Sequence, residues 1–367
     1  MQRNGHTAWT AAWLSWTHCR RCPRSLRALS TGVGSDAEAE GEPRLRAVDL
    51  AQKVRDEKVK SQADPSQIPV SALQQRVTEL RRLTQQLQHV HPNVLAKHLH
   101  RGVLYQDKNV VVINKPYGLT VRDDSASNSI SSVLPVLSKM MEGMKVKSDS
   151  QLLPCLGLEK EVTGALLLAR SAKAWCLFLS DALFFYSAII VGVPVPSEGV
   201  IDIPLIEREV TGVQPHYKMS LSPLFRINES RDGLTKNRAH RQALTAVTKY
   251  KVLDSGSGCS LVELQPLTDV KHQLRVHMAF ALSCPILGDH KYSHWKKLAP
   301  QKLPERVLKK LKLEQSKSRN LPLHLHARQL TLQQTSEAEI NVTCSLPKYF
   351  FQTMGLLHLT LADVKDI

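Results

Sequence analysis

The order of residue patterns along this 367-residue chain predicts an α+β fold. Three features carry that reading. Short runs rich in β-branched residues, such as 110–113 and 186–193, have the length and composition of strands. Other stretches place apolar residues every three or four positions, the period of a helix with one buried face. The two kinds follow one another without the regular alternation of a doubly wound sheet. No internal repeat is visible. With 42% hydrophobic residues the chain has enough for a full-sized core, in one large domain or two smaller ones.

The first segment reads as a mitochondrial presequence, residues 1–35. Arg3, Arg20, Arg21, Arg24 and Arg27 all precede the first acidic residue, Asp36, among Ala, Ser, Thr and Trp. Cleavage is expected between Arg27 and Asp36, with delivery to the mitochondrial matrix. The formal net charge is +16, and 16 less those five leaves 11, so the remainder is still basic. A surplus of that size suits a polyanionic partner such as nucleic acid.

Residues 36–100 read as a polar linker followed by an amphipathic helix. Three prolines and mixed charges mark 36–70. Ser71 and Gln74 then have capping-box spacing, and Leu73, Val77, Leu80, Leu83, Leu87 and Val90 form one apolar stripe that ends near His91-Pro92. The stripe is expected to pack on the main domain. From residue 101 onward one domain is expected. Residues 103–113 read as a hairpin, 129–144 as a helix, and 163–170 as a core element followed by a helix at 172–179. Further strands are expected at 186–193, 243–253 and 260–264, and a helix at 271–282. Residues 291–319 form a basic insertion with ten lysines and arginines among leucines. It reads equally as a helix tracking phosphates or as a solvated surface helix.

The most apolar stretch, 183–195, is too short to cross a bilayer and contains Gly192 and Pro194, so no membrane insertion is expected. Of the seven cysteines only Cys19 and Cys22 make a C-x-x-C pair, and that lies in the presequence. No second pair completes a zinc site, so no metal is expected, and scattered single thiols suit a reducing compartment.

Three segments carry the chemistry. Asn114-Lys115-Pro116-Tyr117-Gly118 shapes a tight turn after a strand, with Lys115 placing a cation beside it. Residues 155–164 hold one acid, Glu159, among apolar neighbours before Gly164; by itself that acid reads as surface or helix-start charge. Residues 268–277 contain His272-Gln273-Leu274-Arg275-Val276-His277, followed by Pro285-Ile286-Leu287-Gly288-Asp289. Together these segments resemble the RluA-type pseudouridine synthases. The likeness runs from about residue 103 to residue 330, including Leu325-His326-Ala327, and is nearest to mammalian mitochondrial members. Leu158, Thr163 and Gly164 match the family's catalytic loop. Leu156, Gly157 and Glu159 stand where that loop has histidine, arginine and the catalytic aspartate. Asp269 and Val270 replace a Gly-Arg pair.

The resemblance implies a mixed, largely antiparallel sheet with flanking helices around a central RNA-binding cleft. It implies isomerisation of uridine to pseudouridine in RNA, whether messenger, ribosomal or transfer. Substrate and product are isomers, so no cofactor is implied. Glu159 falls at the catalytic position. Arg275 would keep that carboxylate ionised and aimed. Tyr186, by itself a core-strand tyrosine, would hold the flipped base, and Leu274 would pack against it. Lys115, His272 and Gln273 would support the site. The glutamate is one methylene longer than the family's aspartate, and its partner arginine at 157 is missing. Two readings therefore stay open: an active mitochondrial enzyme using Glu159, or a degenerate RNA-binding assembly factor on the same fold.

Overall fold

The computed structural model describes residues 71–122, 128–142, 151–211, 215–227, 234–238, 240–332 and 339–361, together with Gln52. The expected presequence at 1–35 and, Gln52 apart, the linker at 36–70 lie outside the described residues. Every element below belongs to one compact unit, Ile68–Ile367.

The unit opens with two helices. Helix α1, Ala72–His89, is capped as its sequence predicts, Ser71 Oγ accepting from the Gln74 N–H at 3.3 Å. Leu73, Val77 and Leu87 of its stripe are buried, whereas Leu83 is exposed. Helix α2, Pro92–Arg101, starts on the proline that ended the stripe. Ser71→Ala is expected to cost about 1 kcal/mol, the usual worth of such a cap, read as a lowered thermal midpoint.

A hairpin follows, β1 (Val103–Gln106) and β2 (Val110–Lys115), and then helix α3, Ile130–Glu142. The short β3, Leu153–Pro154, and the fully buried β4, Thr163–Ala169, bracket the loop that carries Glu159. Helix α4, Ala172–Asp181, runs directly into the ten-residue β5, Ala182–Val191. Beyond it lie β6 (Glu198–Asp202), the hairpin β7–β8 (Leu205–Val210 and His216–Leu221) and the short pair β9–β10 (Phe225–Ile227 and Leu234–Lys236). Then come β11 (Val247–Gly256), β12 (Cys259–Pro266), β13 (Leu325–Leu332) and β14 (Ile340–Thr343). The main sheet has ten strands in the order β1-β2-β4-β13-β5-β12-β11-β6, with β14 on β13 and β3 on β4. Only β4 and β13 run parallel; the remaining pairs are antiparallel, as expected.

The parallel contact decides where the acid loop meets the sheet. His326 pairs with Thr163 and Ala327 with Gly164. Gly164 has φ +112°, and a Cβ there would lie 2.2 Å from the Ala327 carbonyl oxygen. Only glycine permits that approach. Thr163 Oγ1 lies 2.8 Å from His326 Nδ1 beside it.

Three expectations are corrected. The helix at 271–282 is two pieces, a short α segment Gln273–Val276 and a π turn His277–Ala281. His272 before them takes a left-handed φ of +59°, so Lys271 and His272 are a turn rather than a helix. The basic stretch 291–319 is not one long helix. It holds helix α5, Glu305–Leu311, and a 3₁₀ turn, Gln315–Asn320. Val307 and Leu311 are buried in a core cluster with helix α6, Lys348–Leu357, while Leu308 and Leu313 pack on that cluster. Pro300 and Pro304 keep helix out of the residues before Glu305. The strand expected from 243 begins at Val247, after an irregular stretch.

Candidate active site

The loop between β3 and β4 is anchored by buried Cys155, Leu158 and Val162, and polar clamps add to that hold. Lys115, at the end of β2, is fully buried, and its Nζ donates to the Val162 carbonyl at 2.7 Å, to Lys160 at 3.2 Å and to Pro116 at 3.3 Å. The Gly118 N–H donates to the Lys160 carbonyl at 2.8 Å. Helix α1 holds the same turn from above: Gln88 donates to the Gly118 carbonyl at 2.9 Å and Thr84 Oγ1 to that of Tyr117 at 3.3 Å. The Lys-Pro-Tyr-Gly turn thus grips the acid loop by its backbone. Burial pushes the Lys115 ammonium down to about 7, against the pull of Glu161 and Glu159.

Glu159 sits in that loop and meets Arg275, 116 positions further along the chain. Arg275 Nη1 donates to Glu159 Oε2. His272 Nδ1 lies 2.8 Å from the same oxygen. Lys291 Nζ lies 3.3 Å from His272 Nε2. An ammonium can only donate, so Nε2 accepts in that contact and the imidazole proton is assigned to Nδ1, whose approach to the carboxylate is close without being an aligned hydrogen bond. Burial alone would raise the Glu159 carboxyl, but Arg275, then His272, outweigh it and hold it at about 2.

Arg275 is aimed by a second acid. Its Nε and Nη2 donate to the two carboxylate oxygens of Asp289 at 2.9 and 2.7 Å, a bidentate pair with Asp289 fully buried. Asp289 Oδ1 also accepts the backbone N–H groups of Lys291 at 3.0 Å and Tyr292 at 2.9 Å. The Arg275 guanidinium carbon lies 5.2 Å from the centre of the Tyr292 ring. Burial works against the Arg275 charge, but Asp289 and Glu159 keep it protonated.

Gln273 supports this geometry without touching the acid. Its amide donates to the Val247 carbonyl and to Thr248 Oγ1, both at 2.9 Å. Its oxygen accepts from Thr268 Oγ1 at 2.7 Å and from the Val270 N–H at 3.2 Å. The first two bonds tie the turn before Arg275 to β11, and the other two brace the turn itself. Leu274 is buried in the main core cluster. Tyr186 is half-buried on β5, across from Leu264 and Ala327. Burial raises its phenol well above the ordinary range, and the charges of Asp269 and Glu159 add to the rise.

The positions that depart from the family are equally plain. A Cβ on Gly157 would meet nothing within 4 Å, so the place of the expected arginine is open. Val270 packs on the small apolar cluster of Leu205, Met219, Ala246, Val276 and Tyr292, where it carries no charge. Asp289, Lys291 and Tyr292 are the residues whose roles sequence reasoning missed. Among the described residues no three His, Cys, Asp or Glu gather as metal ligands, and no helix is long and apolar enough to cross a membrane.

A cavity of about 720 Å³ adjoins the arginine side of this cluster; Glu159, Tyr186 and Leu274 are not among the residues that line it. Arg275, His272 and Lys291 line one side and Val77, Leu80 and Arg81 of α1 another. Its size is that of an ordinary ligand pocket, about 300–1,000 Å³.

Residues 109–280 match the family model described as RNA pseudouridylate synthase. Over 323 residues the chain is 56% identical to "Pseudouridylate synthase RPUSD4, mitochondrial" of Danio rerio, covering 86% of this chain and 90% of that protein. The chain belongs to the RNA pseudouridylate synthase family. The Homo sapiens protein of the same name is 48% identical, covering 89% of this chain and 88% of its own length. "Mitochondrial mRNA pseudouridine synthase RPUSD3" of Homo sapiens is a more distant relative at 32%, covering 72% and 78%. A solved structure, "Human RNA Pseudouridylate Synthase Domain Containing 4", superposes with a TM-score of 0.64 at 49% identity, covering 74% of this chain and 98% of that one. The expected family and fold therefore hold.

The charge on Glu159 has a consequence for stability. The folded carboxyl is held at about 2 against an ordinary value of 4.5. A depressed acid stabilises the fold above its unfolded value and loses that contribution as pH falls towards the folded one. The shift corresponds to roughly 3 kcal/mol. Wild type should therefore melt above Glu159→Gln near pH 7, and the gap should narrow near pH 3. An equal gap at both would mean that Glu159 is not held ionised.

Proposed function

We propose that this chain is a mitochondrial RNA pseudouridine synthase. It isomerises uridine in messenger or ribosomal RNA of the matrix, with Glu159 as its working carboxylate, and so supports mitochondrial translation or ribosome assembly. Residues 1–35 would serve as the import presequence. The observation that carries the reading is the ionised Glu159 held against Arg275, itself locked by Asp289.

The reaction breaks the N1–C1′ bond of uridine, turns the uracil and joins C5 to C1′. The C5 proton is lost and N1 gains one, so atoms and electrons balance without a cofactor. Glu159 would act at the ribose, as nucleophile at C1′ or base at C2′. The target nucleotide must leave its stack to reach it. Tyr186 would hold the base and Leu274 would back it, while Lys115, His272 and Gln273 keep the carboxylate and arginine in register.

A second reading, an RNA-binding assembly factor without catalysis, is favoured by the open space at Gly157 and the uncharged Val270. Pseudouridine mapping of mitochondrial RNA in cells lacking the protein separates the two. Sites that vanish and return with wild type but not with Glu159→Gln support the enzyme. An unchanged map with reduced ribosome assembly supports the factor and refutes the enzyme.

A further inference from the structure

The cavity has two kinds of cation. Arg275 lies buried at its floor, neutralised by Asp289 and Glu159. Arg81 and Arg319 line the same cavity from exposed positions at its mouth, with the half-buried Lys291 between floor and mouth in exposure. Among the described residues none of these three makes an ion pair, and the acid that shares the cavity lining is Glu161, already 4.0 Å from Arg275. Four cations (Arg81, Arg319, Lys291 and Arg275) face three acids (Glu159, Glu161 and Asp289), and the positive surplus stands at the exposed arginines, which is complementary to an anion.

The mouth is also built to stay in place. Arg81 Nη2 donates to Asn320 Oδ1 at 2.7 Å, a neutral partner that orients the guanidinium and leaves its charge unspent. The 3₁₀ turn that carries Arg319 is anchored by its neighbour Ser318, fully buried, whose Oγ donates to the Gln301 carbonyl at 3.0 Å. Gln301 in turn accepts the Gly288 N–H at 2.8 Å and donates to the Ile286 carbonyl at 3.0 Å. His290 Nδ1 accepts the Gln301 N–H at 3.1 Å, and Nε2 then donates to the Leu321 carbonyl at 3.0 Å. One network thus ties the turn of Asp289, which aims Arg275, to the turn of Arg319.

We infer that Arg81 and Arg319, with Lys291, form a phosphate subsite for the RNA backbone flanking the target uridine. This rests on the RNA substrate proposed above. A nucleoside entering the floor leaves its phosphodiesters at the mouth, because the chain must continue outwards, and that is where these cations stand. Arginine suits the task, since its planar fork pairs with phosphate oxygens. Helix α1 and the 315–320 turn both lie outside residues 109–280, the part matched by the family model.

The test is binding of fluorescein-labelled oligouridylate by the full chain, followed by anisotropy between about 50 and 200 mM salt. Arg81→Ala and Arg319→Ala should each weaken binding about tenfold, the worth of a charge-assisted hydrogen bond. Each should also flatten the dependence of log affinity on log salt by about 0.7. Arg81→Lys should restore the salt slope while recovering only part of the affinity. Lys173→Ala, an exposed lysine on α4 away from the cavity lining, should match wild type. Melting temperatures equal to wild type certify the fold of each variant. Wild-type binding with arginine variants indistinguishable from Lys173→Ala would overturn the subsite alone. No salt-dependent binding by wild type would overturn the subsite and the RNA reading together.

Discussion

Replacing Glu159 by Gln is expected to stop uridine isomerisation, with the single-turnover rate falling on the order of 10⁴- to 10⁶-fold, as when a nucleophile or its activating partner is removed. The substitution keeps the shape and leaves an oxygen to accept from Arg275, so the loss isolates the charge. Asp289 still binds Arg275 through both oxygens, so the buried guanidinium is not orphaned and RNA affinity should persist. Release of tritium from carbon 5 of labelled uridine measures the step directly. Glu159→Asp asks a different question. It withdraws the carboxylate by about 1.5 Å, one carbon–carbon bond, from Arg275 and His272. A misplacement of about 1 Å can cost roughly a hundredfold, so the rate should drop although the charge survives. A faster Glu159→Asp would mean that the backbone still suits an aspartate and the glutamate is an impairment. An unchanged rate with Glu159→Gln would move the chemistry to another group.

What the sequence disclosed follows from the range over which each signal acts. The stripe and cap of α1, the β1–β2 hairpin and the buried β4 are local periodicities, and each lies within a few residues of its expected bounds. The hairpins β7–β8 and β9–β10 escaped. Their strands are three to six residues long with several exposed positions, so they lack a sustained alternation. The 291–319 stretch misled because lysines among leucines mimic an amphipathic helix, although Pro300 and Pro304 keep the residues before Glu305 out of one. In the site, His272 and Arg275 share one compact string, whereas Glu159 by itself read as surface charge and was singled out only by the resemblance. The structure brings all three into contact. The part played by Asp289 was not legible. A buried acid and a surface acid read alike in a Gly-Asp turn, and only the fold shows that this one faces a guanidinium. Lys115 was legible as a nearby cation, but its work as a clamp on three backbone carbonyls depends on the path of a loop 45 residues away.

Asp289→Ala is expected to be the most destabilising change at the site, by about 3–5 kcal/mol, because it strands a buried charge. Asp289 accepts from Arg275 Nε and Nη2 and from the N–H groups of Lys291 and Tyr292. Removing it leaves Arg275 with Glu159 alone and two backbone donors short of a partner. Asp289→Asn keeps one acceptor and the shape, so it should cost less stability while still loosening Arg275. That separation makes the arginine's positioning testable: Asp289→Asn should lower turnover more than RNA affinity, and should raise the Glu159 carboxyl as its partner drifts. Chemical denaturation of Arg275→Met, Asp289→Ala and the double variant closes the cycle. The double variant should be more stable than Asp289→Ala, since no unpaired guanidinium remains buried, and yet be inactive. Recovery of stability without recovery of turnover would show that this buried pair is retained for the aim of the Glu159 carboxylate. Strictly additive losses would show that Asp289 and Arg275 act independently, and the second acid would then have no part in aiming the first.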